Sequence, residues 1–239
     1  MNLGGTLLVQ GKYGEAADVY RRSLDGLRRT VGADHPDTLG TLYNLGAMAE
    51  LEERWAESEA YYTEALRGCE RVLGADQSDT IVAMLGLARI QWTQGNRVEA
   101  EAMTREALTR CRRALPHEHP TTASSLVQLG EMLNETMRFR EARPYWEEGL
   151  EIQRTLLPPE HSSIAEAECD LGESLRGLLQ YEAAEPLLVR GCSGVLATSE
   201  ATKGEKRAAV ENVIALYDAW GKPEQAAEWR AKLEAQQLD

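Results

Sequence analysis

Residues 31–50 read "VGADHPDTLGTLYNLGAMAE", and related phrases recur three times in this chain of 239 residues. The later copies are "LGADQSDTIVAMLGLARI" at 73–90, "LPHEHPTTASSLVQLGEM" at 115–132 and "LPPEHSSIAEAECDLGES" at 157–174. Each copy begins 42 residues after the one before it. A fixed period of this length is typical of stacked supersecondary units, each of which covers the apolar side of its neighbour.

Residues that share a place in the period also share a size. One apolar column consists of Leu3, Leu45, Leu87, Leu129, Leu171 and Val213. A column of small residues consists of Ala16, Ser58, Ala100, Ala142, Ala184 and Ala226. We expect the apolar column to fill the core between units. We expect the small column to lie where two helices cross closely, because a large side chain would hold them apart.

The local signals within one unit predict two helices. In "DHPDT" a polar cap precedes Pro36 at the first helical position, and Asp37 favours the positive helix end. This first helix should run to about Glu52, and the second from about Trp55 to Leu73. Gly74 would follow as a left-handed cap. Leu, Ala, Glu and Arg dominate and no strand-like alternation is present, so the composition also favours helices.

The columns Leu45, Gly46, Tyr62, Ala65 and Leu66 resemble the tetratricopeptide repeat, and the 42-residue period with "HPDT" resembles its kinesin-light-chain type. The resemblance implies an all-α, right-handed solenoid of stacked antiparallel helix pairs, whose first helices line a concave groove. It suggests one array over residues 1–239. Its approximate units are 1–34 (partial), 35–76, 77–118, 119–160, 161–202 and 203–239.

The two ends of the array carry further expectations. The opening "NLGG" aligns with the middle of a first helix, which suggests a fragment or a truncated gene product. Such a half unit would expose Leu3, Leu7 and Leu8, so we expect self-association through residues 1–30. The last unit, "VIALYDAWGKPEQAAEWRAKL", resembles the closing repeat of arrays attached to bacterial serine/threonine protein kinases.

Charge and composition exclude several classes of protein. The net charge is −13 and no basic stripe is visible, which argues against nucleic-acid binding. No apolar run is long enough for a membrane span, and the N-terminus lacks the basic region of a signal peptide. The four cysteines lie far apart without a CxxC motif, as expected for reduced thiols in a cytoplasmic protein.

No catalytic or metal-binding constellation stands out in the sequence. "PHEHP" places His117 and His119 two residues apart, but zinc needs three or four converging ligands. His119 shares its repeat position with His35 and His161, so we expect it to bond the neighbouring loop. Without strands, no nucleophile elbow or phosphate loop is formed. We therefore expect no enzyme, no cofactor and no metal.

The first helices supply the candidate site, since the resemblance places them along the groove. The groove positions singled out are Tyr43, Asn44, Leu85, Arg89, Trp92, Gln128, Glu131, Glu135, Glu166, Asp170, Glu173, Glu211, Asn212 and Asp218. They begin neutral or apolar and become acidic, which favours a protein or peptide segment with Lys or Arg at one end and an apolar side chain at the other. In this reading Trp92 lies on the inner face and the three amides bond the ligand. The alternatives are a self-assembling scaffold and the regulatory half of a signalling enzyme such as a kinase.

Overall fold

In the computed structural model the described residues, 12–199 and 201–235, contain helices and no strand. The chain forms two compact units, residues 1–116 and 117–239. Leu3, Leu7 and Leu8, on which the expected self-association depends, lie outside the described residues. Within these ranges, no helix has the combination of length and apolar character that a membrane crossing requires.

Unit 1 contains five described helices that pack in sequence order. They are α1 (Tyr13–Thr30), α2 (Pro36–Leu51), α3 (Trp55–Val72), α4 (Ser78–Thr93) and α5 (Arg97–Ala114). Unit 2 contains six within its described part. They are α6 (Pro120–Glu135), α7 (Phe139–Leu156), α8 (Ser162–Gly177), α9 (Tyr181–Ala197), α10 (Lys203–Trp220) and α11 (Pro223–Ala235). The first helices α2, α4, α6 and α8 therefore begin 42 residues apart, and the helix pairs expected from the repeat are confirmed.

Histidine caps three of the four helices that follow the repeated phrase. His35, His119 and His161 each precede a first helix in extended conformation, and each Nδ1 accepts a hydrogen bond from the backbone N–H two residues later. The N···N distances are 3.2, 3.1 and 3.2 Å. The histidine column thus satisfies otherwise unpaired N–H groups at the helix start. The bond of His119 goes to its own helix and not to a neighbouring loop.

The turn between the two helices of a pair has one repeated backbone feature. Glu53, Gly95, Met137, Leu179 and Gly221, spaced by 42, all have positive φ, with values of 56°, 92°, 57°, 60° and 73°. A left-handed residue lets the chain reverse directly after a helix, but it costs an L-residue about 1–2 kcal/mol. Three of these five turns are therefore made without glycine.

The two columns occupy the places expected of them. Leu45, Leu87, Leu129, Leu171 and Val213 are all buried, and the described members of the small column are fully inaccessible. Ser58 Oγ donates a hydrogen bond to the Gly46 carbonyl at 2.8 Å, so the two helices do cross closely there. A Cβ on Gly46 would lie 2.9 Å from the Tyr62 ring, which explains why that position is glycine.

Candidate functional site

In unit 1 the first helices α2 and α4 lie side by side, and the cleft between them has a volume of about 220 Å³. Gly40 and Val82 both line it, so these two residues lie on the same face, as the repeat predicts. The cleft is largely apolar, and its further lining residues include Leu39, Tyr43, Asn44, Cys69, Leu73 and Asp79. We call the exposed side of α2 and α4, which carries Gly40, Tyr43, Asn44, Val82 and Arg89, the first-helix face of unit 1.

The charge of Arg89 on this face is neutralised within the chain. Its guanidinium donates to both carboxylate oxygens of Glu50, at 2.5 and 2.7 Å, and to the Tyr62 hydroxyl at 3.3 Å. Burial alone would lower the pKa of Arg89, but the hydrogen bond and the charge of Glu50 raise it. Tyr43 packs against Tyr62 with the ring centroids 5.4 Å apart. Arg89 therefore joins two neighbouring repeats within unit 1 and is not a free cation.

The expectation that Leu85 and Trp92 contact an apolar side chain of the ligand needs correction. Leu85 is 5% exposed and packs in the core with Ile81 and Ala107. Trp92 is 8% exposed, and the Arg97 guanidinium lies 5.2 Å from its ring centroid. The end of a first helix packs inward, so a large residue there fills space between helices. Of the three aromatic or apolar candidates, Tyr43 alone keeps partial exposure and lines the cleft.

Unit 2 has a cleft at the equivalent place, between α8 and α10, with a volume of about 170 Å³. The two clefts are three repeats apart: Glu166, Cys169 and Asp170 occupy the positions of Gly40, Tyr43 and Asn44. Other lining residues are Ser162, Val195, Thr198, Glu205, Ala208, Ala209 and Asn212. We call the exposed side of α6, α8 and α10, which carries Ser124, Glu131, Glu166, Asp170, Glu173 and Asn212, the first-helix face of unit 2.

The carboxylates of this second cleft disfavour one another's charge. Burial, and after it the charges of three neighbouring carboxylates, together raise the pKa of Asp170 to about 8. Those carboxylates belong to Glu131, Glu173 and Glu166. The pKa of Glu166 is raised as well, first by burial and then by Glu205, while His161 acts in the opposite direction. A cation in the cleft would remove this repulsion.

Three of the other acidic candidates are paired within the chain. Glu173, Glu211 and Asp218 accept from Arg176, Arg207 and Arg230, at 3.5, 2.9 and 2.6 Å. Glu131 and Glu135 are exposed at the surface of α6. The acidic candidates of unit 2 therefore differ in whether an arginine of the chain already neutralises them.

The three amide candidates differ in whether they line a cleft or are buried. Asn44 and Asn212 each line a cleft, whereas Gln128 is only 6% exposed. The expectation that Gln128 contacts a ligand therefore needs correction, because its side chain is buried. A different amide joins successive first helices: Asn134 donates to the Asp170 carbonyl at 3.0 Å and accepts from the Ser174 hydroxyl at 2.6 Å.

Sequence reasoning missed Glu205 as a lining residue of the acidic cleft. Its carboxylate accepts from the Thr202 backbone N–H at 2.6 Å and from the Thr202 hydroxyl at 2.9 Å. This capping box could have been found in the letters "TKGE" at 202–205. The repeated phrase is replaced there, so the alignment of columns did not place Glu205 on the cleft.

The chain matches one family model, and its fold is similar to that of several solved structures. The family model of the tetratricopeptide repeat matches residues 1–52, 38–113 and 121–197. The crystal structure of BtubC (BKLC) from P. vanneervenii has a TM-score of 0.78 at 18% identity and covers 95% of this chain and 90% of its own. A putative kinesin light chain from Podosopora anserina, with nearly identical TPR-like repeats, has a TM-score of 0.70 at 20% identity, covering 85% and 96%.

A third solved structure, YrrB, is described as a TPR protein with an unusual peptide-binding site. Its TM-score is 0.55 at 16% identity, and the similarity covers 92% of this chain and 93% of that one. No curated protein sequence matches the chain. At these identities the solved structures establish the similarity of fold.

Proposed function

Because the chain belongs to the tetratricopeptide repeat family, we propose that it is a protein-interaction module whose first-helix faces bind a segment of a protein partner. A segment bound by unit 1 carries an apolar side chain, and a segment bound by unit 2 carries one or more basic residues. The observation that carries this proposal is the pair of clefts at equivalent repeat positions, one apolar and one acidic. YrrB, with its described peptide-binding site, provides a precedent for the fold.

The apolar side chain belongs in the cleft between α2 and α4. Its walls combine Leu39, Val82 and the partly exposed ring of Tyr43. Burial of apolar surface contributes about 25 cal/mol per Å² removed from water, and an aromatic wall favours such an anchor. This contact provides most of the affinity and does not depend on salt.

In unit 2, basic residues of the partner face the acidic cleft. Exposed ion pairs contribute only about 0–1 kcal/mol each, so charge gives rapid, weak and salt-sensitive capture. Glu173, Glu211 and Asp218 already have arginine partners, which reduces their share. Glu166 and Asp170 are the two positions at which we expect neutralisation to matter most.

The proposal includes no catalytic step and no cofactor. Among the described residues no group of three or more His, Cys, Asp or Glu side chains is placed to hold a metal ion. All four cysteines are buried, and burial raises the pKa of Cys69, Cys169 and Cys192. Such thiols are poor nucleophiles and fit a reducing compartment, so a cytoplasmic location is part of the proposal.

The chain offers a matched pair of variants to test this function. A Cβ at Gly40, in the apolar cleft, or at Gly26, on α1, would meet nothing within 4 Å. Arginine is a better helix former than glycine, so both Gly40→Arg and Gly26→Arg should fold. Partners are captured from the source cell at low salt with each variant as bait and quantified by mass spectrometry. We expect Gly40→Arg to lose the specific partner at least about tenfold, since the arginine fills the cleft that contributes most affinity, and Gly26→Arg to retain it.

Equal capture by wild type and both variants, for a partner also indifferent to the acidic cleft, would overturn the proposal. The scaffold alternative would then be favoured if sedimentation shows concentration-dependent self-association. The full-length gene of the source organism decides directly whether a kinase or another enzyme domain is attached.

A further inference from the structure

Two carboxylates on the first-helix face of unit 2 are set apart from the rest. Within residues 117–199 and 201–235, neither the Glu166 nor the Asp170 side chain has a hydrogen bond or an ion pair with another residue. Both line the same cleft. A largely enclosed carboxylate without a donor is unfavourable, and the raised pKa of Asp170 is its consequence.

The lining of this cleft combines apolar side chains with the carboxyl groups of Glu166, Asp170 and Glu205. Cys169, Val195 and Ala209 are buried side chains along it, and Ala208 completes the apolar surface. Glu205 faces Glu166 closely enough to raise its pKa. The cleft therefore offers a small apolar passage to a methylene chain and three carboxylates to the charge at its end.

We propose that the cleft between α8 and α10 receives the side chain of a lysine residue of the partner. The aliphatic stem lies against Val195, Ala208 and Ala209. The ammonium group donates to the carboxylates of Glu166, Asp170 and Glu205. This inference rests on the proposed function, since it names the residue that the acidic cleft recognises.

The chemistry of the two basic side chains favours lysine over arginine here. An ammonium is a compact charge with three donors, which suits three carboxylates that line one cleft. A guanidinium is a planar fork that binds best to one carboxylate in its own plane. Glu205 has one oxygen committed to the Thr202 cap, which reduces its capacity for such paired bonding.

The equivalent cleft of unit 1 serves as an internal reference. Gly40 and Asn44 replace Glu166 and Asp170 there, and Asp79 replaces Glu205. Only one of the three carboxylates remains. The cleft of unit 1 should therefore show no preference for an ammonium.

The test uses the full chain and three blocked tripeptides, acetyl-Ala-X-Ala-amide, in which X is lysine, arginine or norleucine. Amide chemical shifts of the isotopically labelled protein are followed while each peptide is added. We expect the lysine peptide to shift amides of α8 and α10. It should bind at least about fivefold more tightly than the norleucine peptide, which forms no ion pair, and than the arginine peptide, whose planar fork suits the three carboxylates less well. Equal affinity of the norleucine or arginine peptide, or shifts confined to other helices, would overturn the inference.

Variants decide whether the cleft carboxylates are responsible. Glu166→Gln with Asp170→Asn keeps the shapes of the side chains and removes both carboxyl groups. Glu151→Gln, at an exposed position of α7, is the matched control. We expect the double variant to lose the preference for lysine and the control to keep it. If the folded double variant still prefers lysine, the inference is wrong, while the outcome of the Gly40→Arg experiment separately decides the proposed function.

Discussion

Replacing Asp170 by Asn should stabilise the protein, and the gain should depend on pH. Burial and neighbouring carboxylates raise the pKa of Asp170 from 3.8 to about 8. The folded state then holds this proton more tightly than the unfolded state. The contribution of Asp170 to stability is therefore greatest below about pH 4 and is lost as pH rises through about 8, above which both states are ionised.

The size of the effect follows from the shift. Each pKa unit corresponds to about 1.4 kcal/mol, so the full shift would give an upper limit of roughly 5–6 kcal/mol. The side chain keeps some exposure, and solvent screens part of the repulsion. We expect Asp170→Asn to raise the free energy of unfolding by about 2–3 kcal/mol near pH 8 and by less than about 1 kcal/mol near pH 4.5.

Urea unfolding followed by circular dichroism, repeated between about pH 4.5 and pH 9, measures this difference. Glu151→Gln provides the control for a change of one surface charge. A gain that is the same at every pH, or a wild type more stable than Asp170→Asn near pH 8, would refute the reasoning. The carboxyl carbon signal of Asp170 gives a second readout, since it should titrate far above the usual range of an aspartate.

Two further predictions concern the repeat itself. Leu179→Gly should stabilise the protein by about 0.5–1 kcal/mol, because glycine replaces a leucine in left-handed conformation at a solvent-exposed turn. Gly95→Ala should destabilise the protein by about 1–2 kcal/mol, because alanine would then take a left-handed conformation. Thermal unfolding of both variants checks the opposite signs, and a loss of stability in Leu179→Gly would contradict the account. Gly130→Ala should lower the free energy of unfolding by about 1–3 kcal/mol, because its Cβ would lie 2.6 Å from the Trp146 ring. Gly26→Ala should be neutral or stabilising, because its Cβ would meet nothing within 4 Å. Equal stability of these two variants in urea would refute the packing argument.

The repeat period made the helices predictable from the sequence. Small and large columns recur every 42 residues because each unit must cover the same apolar surface of its neighbour. Pro36 and Gly74 then fixed one helix start and one helix end within a residue or two. The faces of α2 and α4 followed as well, since Gly40 and Val82 occupy one column and line one cleft.

The candidate site was harder to predict, because a repeat column indicates the side of the helix on which a residue lies but not how deeply its side chain is buried. Trp92 and Glu50 occupy the same repeat position, yet Trp92 is buried and Glu50 pairs with Arg89. The surrounding side chains decide which of these outcomes occurs, and they differ from unit to unit. Glu205 was missed for another reason, since the irregular connection before α10 interrupts the alignment that would have revealed it.

The concentration of acid around one cleft also depends on structure. The sequence places several acidic residues near the groove, but it does not show which of them have arginine partners. Glu211 and Asp218 are paired with Arg207 and Arg230, whereas Asp170 is not paired with any described residue. Long arginine side chains reach across helix turns, so their choice of partner cannot be read from a column.

The central claim is that the first-helix faces bind a segment of a partner. Site-specific photo-crosslinking tests it most directly. Benzoylphenylalanine is placed at Ser124, an exposed position of the first-helix face of unit 2 that lines neither cleft, in one protein and at Gly26 in another, and the crosslinked peptide is identified by mass spectrometry after exposure to an extract of the source cell. The account predicts one recurring partner peptide that contains a lysine at Ser124, and no such peptide at Gly26. The same peptide crosslinked equally at both positions, or at Gly26 alone, would contradict the claim.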